Sequence, residues 1–193
     1  MKRLYFKYGV MGSSKSAQAL MTAFNYRQRG FNVVLLKPII DTRDHGVENP
    51  AITSRIGLKE SCTLFERDTN LYDLVTKLKG VQVVIVDEVQ FCTSKQIDEL
   101  KELTMRDIVV LCYGLKTNFK SELFEGSKRL LELAESIQEI KSICRCGNKA
   151  TFNALVVNGR VTTKGAEIQI GGDEKYEAMC YACYKKYQHE DCK

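Results

Sequence analysis

The stretch YGVMGSSKSAQAL, Tyr8 to Leu20, matches the phosphate-loop pattern G-x-x-x-x-G-K-[ST] at Gly9, Lys15 and Ser16, and departs from it at Ser14, where the second glycine belongs. An apolar run, LYFKYG at 4–9, leads into it, and a helical pattern over 15–29 that stops at Gly30 leads out. That is the context such a loop needs. Successive backbone N–H groups and the helix N-terminus face an anion, the lysine reaches the terminal phosphates, and the hydroxyl of Ser16 can ligate Mg²⁺. The glycine that normally precedes the lysine permits unusual backbone angles and close approach of phosphate, whereas serine at positive φ is costly. Gly12, two residues earlier, offers some of that freedom. The competing reading of GSSKS is a polar strand-to-helix turn with a serine cap, and this stretch alone does not separate the two.

Reading outward, FNVVLLKP at 31–38, VQVVIVD at 81–87 and DIVVLCYG at 107–114 are further short apolar runs ending in Gly, Pro or Asp, the pattern of buried strands. Helical patterns fall between them: residues 15–29 place Ala19, Phe24 and Tyr26 on one helix, and Thr93 with Gln96 forms a capping box that opens another through 103. Strands alternating with helices require crossover connections. They predict an α/β fold of the P-loop, RecA-like type, a mainly parallel sheet covered by helices, with ligands beyond the carboxyl ends of the strands. After about residue 142 the texture changes to close-set cysteines and short β-like runs such as TFNALVVNG at 151–159. The expected division is an ATP-binding domain over 1–141 and a small C-terminal domain over 142–193.

The run VIVDEVQF at 84–91 ends abruptly in two carboxylates. In a phosphate-loop fold the acid ending a neighbouring strand, here Asp87, helps hold the Mg²⁺ that bridges the nucleotide phosphates. Glu88 then lies near the transferred phosphate, where a carboxylate can take the proton of an attacking hydroxyl or, in a plain ATPase, orient water. The competing reading is a solvated strand end. The cysteines give a third signal: Cys144-x-Cys146 and Cys180-x-x-Cys183 are two close pairs whose four thiolates fit a closed, structural Zn²⁺ site, although the first pair is one residue short of the usual spacing. Cys192 and His189 are possible substitutes. Cys62, Cys92 and Cys112 lie in or beside apolar segments and read as small core residues.

Composition narrows the classes. The formal charge is +5, but residues 1–141 hold 21 Lys/Arg against 18 Asp/Glu and the remainder 8 against 6, so there is no basic footprint of a nucleic-acid binder. The apolar runs are too short to span a bilayer, and MKRLYFKYG lacks a signal peptide's apolar centre. No nucleic-acid partner, no membrane and a cytoplasmic setting are expected. Two other classes compete with a small-molecule kinase: a phosphate-loop ATPase or switch, and a zinc-ribbon module binding nucleic acid, against which the thin charge argues.

In order and spacing, YGVMGSSKS, DTR at 41–43, TSRIG at 53–57, VDEVQF at 86–91, CYGLKTNFKSELFEGS at 112–127, the cysteine pairs and IQIGGDEKY at 168–176 resemble the type II thymidine kinases, the cytosolic human-type family widespread in bacteria. The resemblance implies transfer of the γ-phosphoryl group of ATP to the 5′-hydroxyl of thymidine, a step in DNA precursor synthesis, with Mg²⁺ and a structural Zn²⁺. It implies that Gly9, Val10, Met11, Gly12, Ser13, Ser14, Lys15 and Ser16 bind the ATP phosphates. Asp41, Thr42 and Arg43, with Asp87, Glu88, Val89 and Gln90, would lie near nucleotide and metal, Glu88 being the general base. Under a lasso-shaped loop, Glu167, Ile168, Gln169, Ile170 and Gly171 would meet the thymine edge largely through backbone groups. Tyr176 would approach the sugar, and Met11, Phe91, Leu115, Phe119 and Phe124 would line the base pocket. Cys144, Cys146, Cys180 and Cys183 would hold the zinc of the lasso domain. A homotetramer and feedback inhibition by dTTP are implied by the resemblance alone.

Overall fold

The computed structural model describes residues 3–39, 49–164 and 176–189. The chain enters through strand β1 (Leu4–Tyr8), passes the quoted loop into helix α1 (Lys15–Gln28), and returns through β2 (Val33–Pro38). A small antiparallel pair, β3 (Ala51–Thr53) and β4 (Lys59–Ser61), precedes β5 (Thr63–Phe65) and helix α2 (Leu71–Thr76). Then follow β6 (Val83–Val86), helix α3 (Ser94–Leu103), β7 (Val109–Gly114), helix α4 (Glu125–Leu133) and β8 (Ser136–Glu139). The six longer-range strands form one parallel sheet in the order β5-β2-β6-β7-β1-β8.

Why the central runs are apolar throughout is plain from their two faces. In β6 and β7, Val84, Val86, Val110 and Cys112 join Ile97, Leu100, Leu103 and Leu130 of α3 and α4 in one buried cluster. Their chain neighbours Val83, Ile85, Val109, Leu111 and Tyr113 point the other way, onto Ala19, Leu20 and Ala23 of α1. Every residue of β6 and β7 is buried, as befits strands covered on both sides. Cys92 and Cys112 are core residues at 1% and 0% exposure, and Cys62 packs half-buried against the α1 side. The capping box of α3 makes both of its bonds: Gln96 N–H donates to Thr93 Oγ1 at 3.2 Å and Thr93 N–H to Gln96 Oε1 at 3.1 Å.

Beyond β8 the chain forms a hairpin of β9 (Ser142–Ile143) and β10 (Lys149–Ala150), then β11 (Phe152–Val157), β12 (Arg160–Thr162), β13 (Tyr176–Met179) and helix α5 (Tyr181–His189). β11 lies between β12 and β13, antiparallel to both. Ala150, Ala154, Val161, Met179 and Tyr184 make a third core with Cys144 and Cys180, and one residue of the loop that follows β1, Val10, is part of it. Among the described residues no helix is long and apolar enough to cross a membrane.

Candidate active site

Three adjacent parallel strands, β6, β7 and β1, end side by side, so Asp87-Glu88, Gly114-Leu115 and the loop 9–16 meet at the carboxyl edge of the sheet. The loop leaves β1 with Gly9 N–H donating to Gly114 O at 3.2 Å and turns through Ser13 N–H to Val10 O at 3.2 Å. Gly9 is required by close approach: a Cβ there would stand 2.7 Å from Ile140 O and 2.3 Å from Ser13 Oγ. Gly12 has φ +72° and Ser14 φ +63°, ψ +26°, so the loop uses two left-handed residues and the serine adopts angles that favour glycine. Ser14 O then accepts the first helical bond, from Gln18 N–H at 3.0 Å. Lys15 is 8% exposed, and its ammonium donates to Val10 O at 2.9 Å, under the loop.

Asp87 ends β6 with 3% exposure beside the Ser16 hydroxyl, and its Oδ1 is buried with no hydrogen-bond partner among the described residues. Burial, and then repulsion from Glu88, push its pKa up to about 6, with Ser16, the Glu88 backbone and Lys15 pulling the other way. A buried acid holding one unbonded oxygen beside a serine hydroxyl is a donor set suited to a hard divalent cation.

Glu88 also takes left-handed angles, φ +53°, and opens a single 3-10 turn over Val89–Phe91. That strained corner turns its side chain toward the loop. Gln90, 2% exposed, fixes it: Gln90 Nε2 donates to Glu88 Oε2 at 2.6 Å, and Gln90 Oε1 accepts from Leu115 N–H at 3.0 Å. The strut exists because residue 114 lacks a side chain, since a Cβ on Gly114 would lie 2.5 Å from Gln90 Oε1. Val89 is fully buried beneath the turn.

A cleft of about 210 Å³ brings together Met11, Gly12, Ser14, Lys15, Ser16, Glu88 and Leu115, with Thr53, Ser54, Arg55 and Ile56 on its far side. TSRIG therefore borders the cleft, a position for which its resemblance alone supplied no role. Phe91 and Phe124 meet edge to face at 5.7 Å beside a second cavity of about 300 Å³, lined also by Ile39, Phe65, Arg67 and Gln90. Phe119, 1% exposed, packs its ring 6.3 Å from that of Tyr176 and offers its carbonyl to the Tyr184 hydroxyl at 3.1 Å. Of the aromatics expected together, the structure thus makes two pairs, 91 with 124 and 119 with 176. Asp41, Thr42 and Arg43, the segment from Glu167 through Ile168, Gln169 and Ile170 to Gly171, and Cys192 lie outside the described residues.

The sulfurs of Cys144, Cys146, Cys180 and Cys183 lie within 4.8 Å of one another, with Cys146 Sγ to Cys180 Sγ at 3.6 Å. A tetrahedral zinc with Zn–S bonds of about 2.3 Å has sulfur–sulfur edges of about 3.8 Å. The set fits. The short first pair closes because Gly147 N–H donates to Cys144 O and Cys144 N–H to Asn148 O, both at 2.8 Å, a tight turn that leaves the exposed Cys146 with its sulfur beside the other three. The Asn148 backbone and then the neighbouring thiols hold the Cys146 thiol down at about 6; bonding to Cys146, then burial, pushes Cys183 up to about 12.

One residue with two site contacts escaped the sequence reading. Asn153 of β11, 5% exposed, accepts from Met11 N–H at 2.8 Å through Oδ1 and donates to Thr117 O at 2.9 Å through Nδ2. Its signal was a lone amide inside the apolar run TFNALVV.

The family model described as thymidine kinase matches residues 2–184. Among curated proteins, a thymidine kinase of Haemophilus influenzae (strain ATCC 51907 / DSM 11121 / KW20 / Rd) is 43% identical over 192 residues, 96% of this chain and 97% of its own length. Those of Legionella pneumophila (strain Lens) and Rhodopirellula baltica (strain DSM 10527 / NCIMB 13988 / SH1) are 42% and 41% identical, covering 96% of this chain and 90% and 89% of their own lengths. With a matching model over nearly all of its length, and relatives as similar as these from end to end, the chain belongs to the thymidine kinase family.

Proposed function

We propose that the chain transfers the γ-phosphoryl group of ATP to the 5′-hydroxyl of thymidine, giving dTMP and ADP, in the cleft between the loop 9–16 and Glu88. The observation that carries this reading is the strut-held Glu88 facing a phosphate-loop lysine and serine across one cleft. Gly9 through Ser16 cradle the phosphates with backbone N–H groups, Lys15 neutralises charge on the transferring group, and Asp87 with Ser16 would hold Mg²⁺. When bound, that ion neutralises phosphate charge. The 5′-oxygen forms a bond to the γ-phosphorus as the bond to the β–γ bridging oxygen breaks, and the hydroxyl proton passes to the Glu88 carboxylate.

Residues 1–141 act as the ATP domain and 142–193 as the domain that closes over the nucleoside. Met11 and Leu115 contact the substrate from the loop side, and Phe91, Phe124, Phe119 and Tyr176 shape the base and sugar sites. The Zn²⁺ held by the four cysteines is structural, because four protein ligands leave no open position for chemistry. The family resemblance supports a homotetramer, inhibition by dTTP and a cytoplasmic setting. The test is a screen of phosphate transfer from ATP across the four deoxynucleosides, run with the parent and Glu88→Gln. Thymidine should be the preferred acceptor, and the variant should turn over about 10²- to 10⁴-fold more slowly. ATP hydrolysis with no phosphorylated nucleoside would replace the kinase with a phosphate-loop ATPase.

A further inference from the structure

The small C-terminal module touches the phosphate loop in two ways that neither a zinc scaffold nor a nucleoside lid requires. Val10, one residue into the loop, is 8% exposed and sits in the module's own core beside Cys144 and Cys180. The next residue, Met11, gives its backbone N–H to Asn153 Oδ1 at 2.8 Å. The other arm of the same amide reaches Thr117 O at 2.9 Å, two residues past Leu115, whose N–H anchors the Gln90 strut. Asn153 lies at the middle of a three-stranded sheet, opposite Ala178, and is 5% exposed. Asparagine is a poor strand former, and a buried amide is tolerated only when its polar atoms are bonded. Here its carbonyl and its amino group each have a partner, and both partners lie on segments that line the cleft.

We propose that Asn153 is a positioning residue for the phosphate donor: with Val10 it clasps the loop to the cysteine module, so that the module sets the loop's shape as well as covering the nucleoside. The inference rests on the loop being the ATP site. Gly12 and Ser14 both take left-handed angles immediately after the clasp, so the direction in which their N–H groups point depends on where Met11 is held. Because Cys144 and Cys180 share a core with Val10, a metal that stitches the sulfurs together stiffens the surface on which the loop rests.

The experiment is amide hydrogen exchange at Met11, with zinc content and ATP binding measured in the absence of nucleoside, on the parent, Asn153→Leu and Asn153→Asp. In zinc-loaded Asn153→Leu, exchange at Met11 should quicken about tenfold or more and ATP should bind about tenfold more weakly, the scale of one lost bond at a partly buried donor. Asn153→Asp keeps an acceptor for Met11 and should restore slow exchange and most of the ATP affinity. Should Asn153→Leu fail to fold or to hold zinc, chelation of the parent decides: the clasp predicts faster Met11 exchange while β6 and β7 stay protected. Parental exchange at Met11 in folded, zinc-loaded Asn153→Leu, or in the zinc-stripped parent, would overturn the proposal. Since neither measurement uses an acceptor, failure of thymidine phosphorylation would strike the kinase reading and leave the clasp standing.

Discussion

Ser14 carries the strain that its spelling announced. The sequence left two ways for the loop to work, relief through Gly12 or a serine forced into glycine's angles, and the structure uses positive φ at both, +72° and +63°. The Ser14 side chain makes no capping bond and is exposed, so replacing it removes nothing but the Cβ clash. A left-handed non-glycine residue costs about 1–2 kcal/mol, and glycine returns about 0.4–1 of that as unfolded-chain entropy. Ser14→Gly should therefore stabilise the protein by about 0.5–1 kcal/mol in urea unfolding and leave thymidine affinity alone; an equal or lower stability would show that the angle costs nothing here. Asp87 is the second residue whose chemistry was legible in type but not in degree. DEVQ named a carboxylate pair, yet it takes the three-dimensional burial, and then the repulsion from Glu88, to raise the Asp87 pKa to about 6, above an unfolded value near 4. An acid whose folded pKa is raised stabilises the fold below the unfolded pKa and loses that contribution as pH rises through the folded one. The nucleotide-free protein should thus gain from Asp87→Asn at pH 8, by on the order of 1–3 kcal/mol, and the gain should close toward pH 4. A gap independent of pH would assign the effect to packing rather than charge.

At the scale of elements, what was readable followed burial. β6 and β7 were plain because strands covered on both faces must be apolar at every position, β1 and β2 because their mostly apolar runs stop at Gly9 and Pro38, and α3 because its capping box is written in the sequence. The outer strands β5 and β8 hid in mixed stretches: SIQE of β8 is half exposed, with Ile137 at 45%, and carries no period strong enough to find. The pairing of DEVQ with CYGL was equally invisible, since it depends on β6 and β7 being neighbours in register. Gly114 is where that neighbourhood becomes chemistry. Gly114→Ala would press a methyl against Gln90 Oε1, now 2.5 Å from the Cβ position, and displace the strut from Glu88. Turnover should drop about tenfold or more with a loss of about 1–3 kcal/mol in stability. Parental turnover in a folded Gly114→Ala protein would mean that Gln90 does not hold Glu88 for the reaction.

For the whole molecule, one topological fact organises the site: the order β6-β7-β1 sets the carboxylate pair, the strut's anchor and the phosphate loop on consecutive strand ends. Alternating strands and helices made a parallel sheet legible, but not that order, because crossover connections of similar length permit several. The cysteine pairs gave away a four-sulfur cluster, including the short-spaced Cys146, while its grip on the loop through Asn153 and Val10 arises only when the module folds back. The chemistry of the cleft converges on Lys15, held beneath the loop against Val10 O. The measurement that tests it most directly is the single-turnover rate of dTMP formation from ATP and thymidine in Lys15→Ala beside the parent. The expected result is a fall of about 10²- to 10³-fold, the loss of one charged donor aimed at the transferring phosphate. A Lys15→Ala protein that binds ATP and makes dTMP at the parental rate would contradict it.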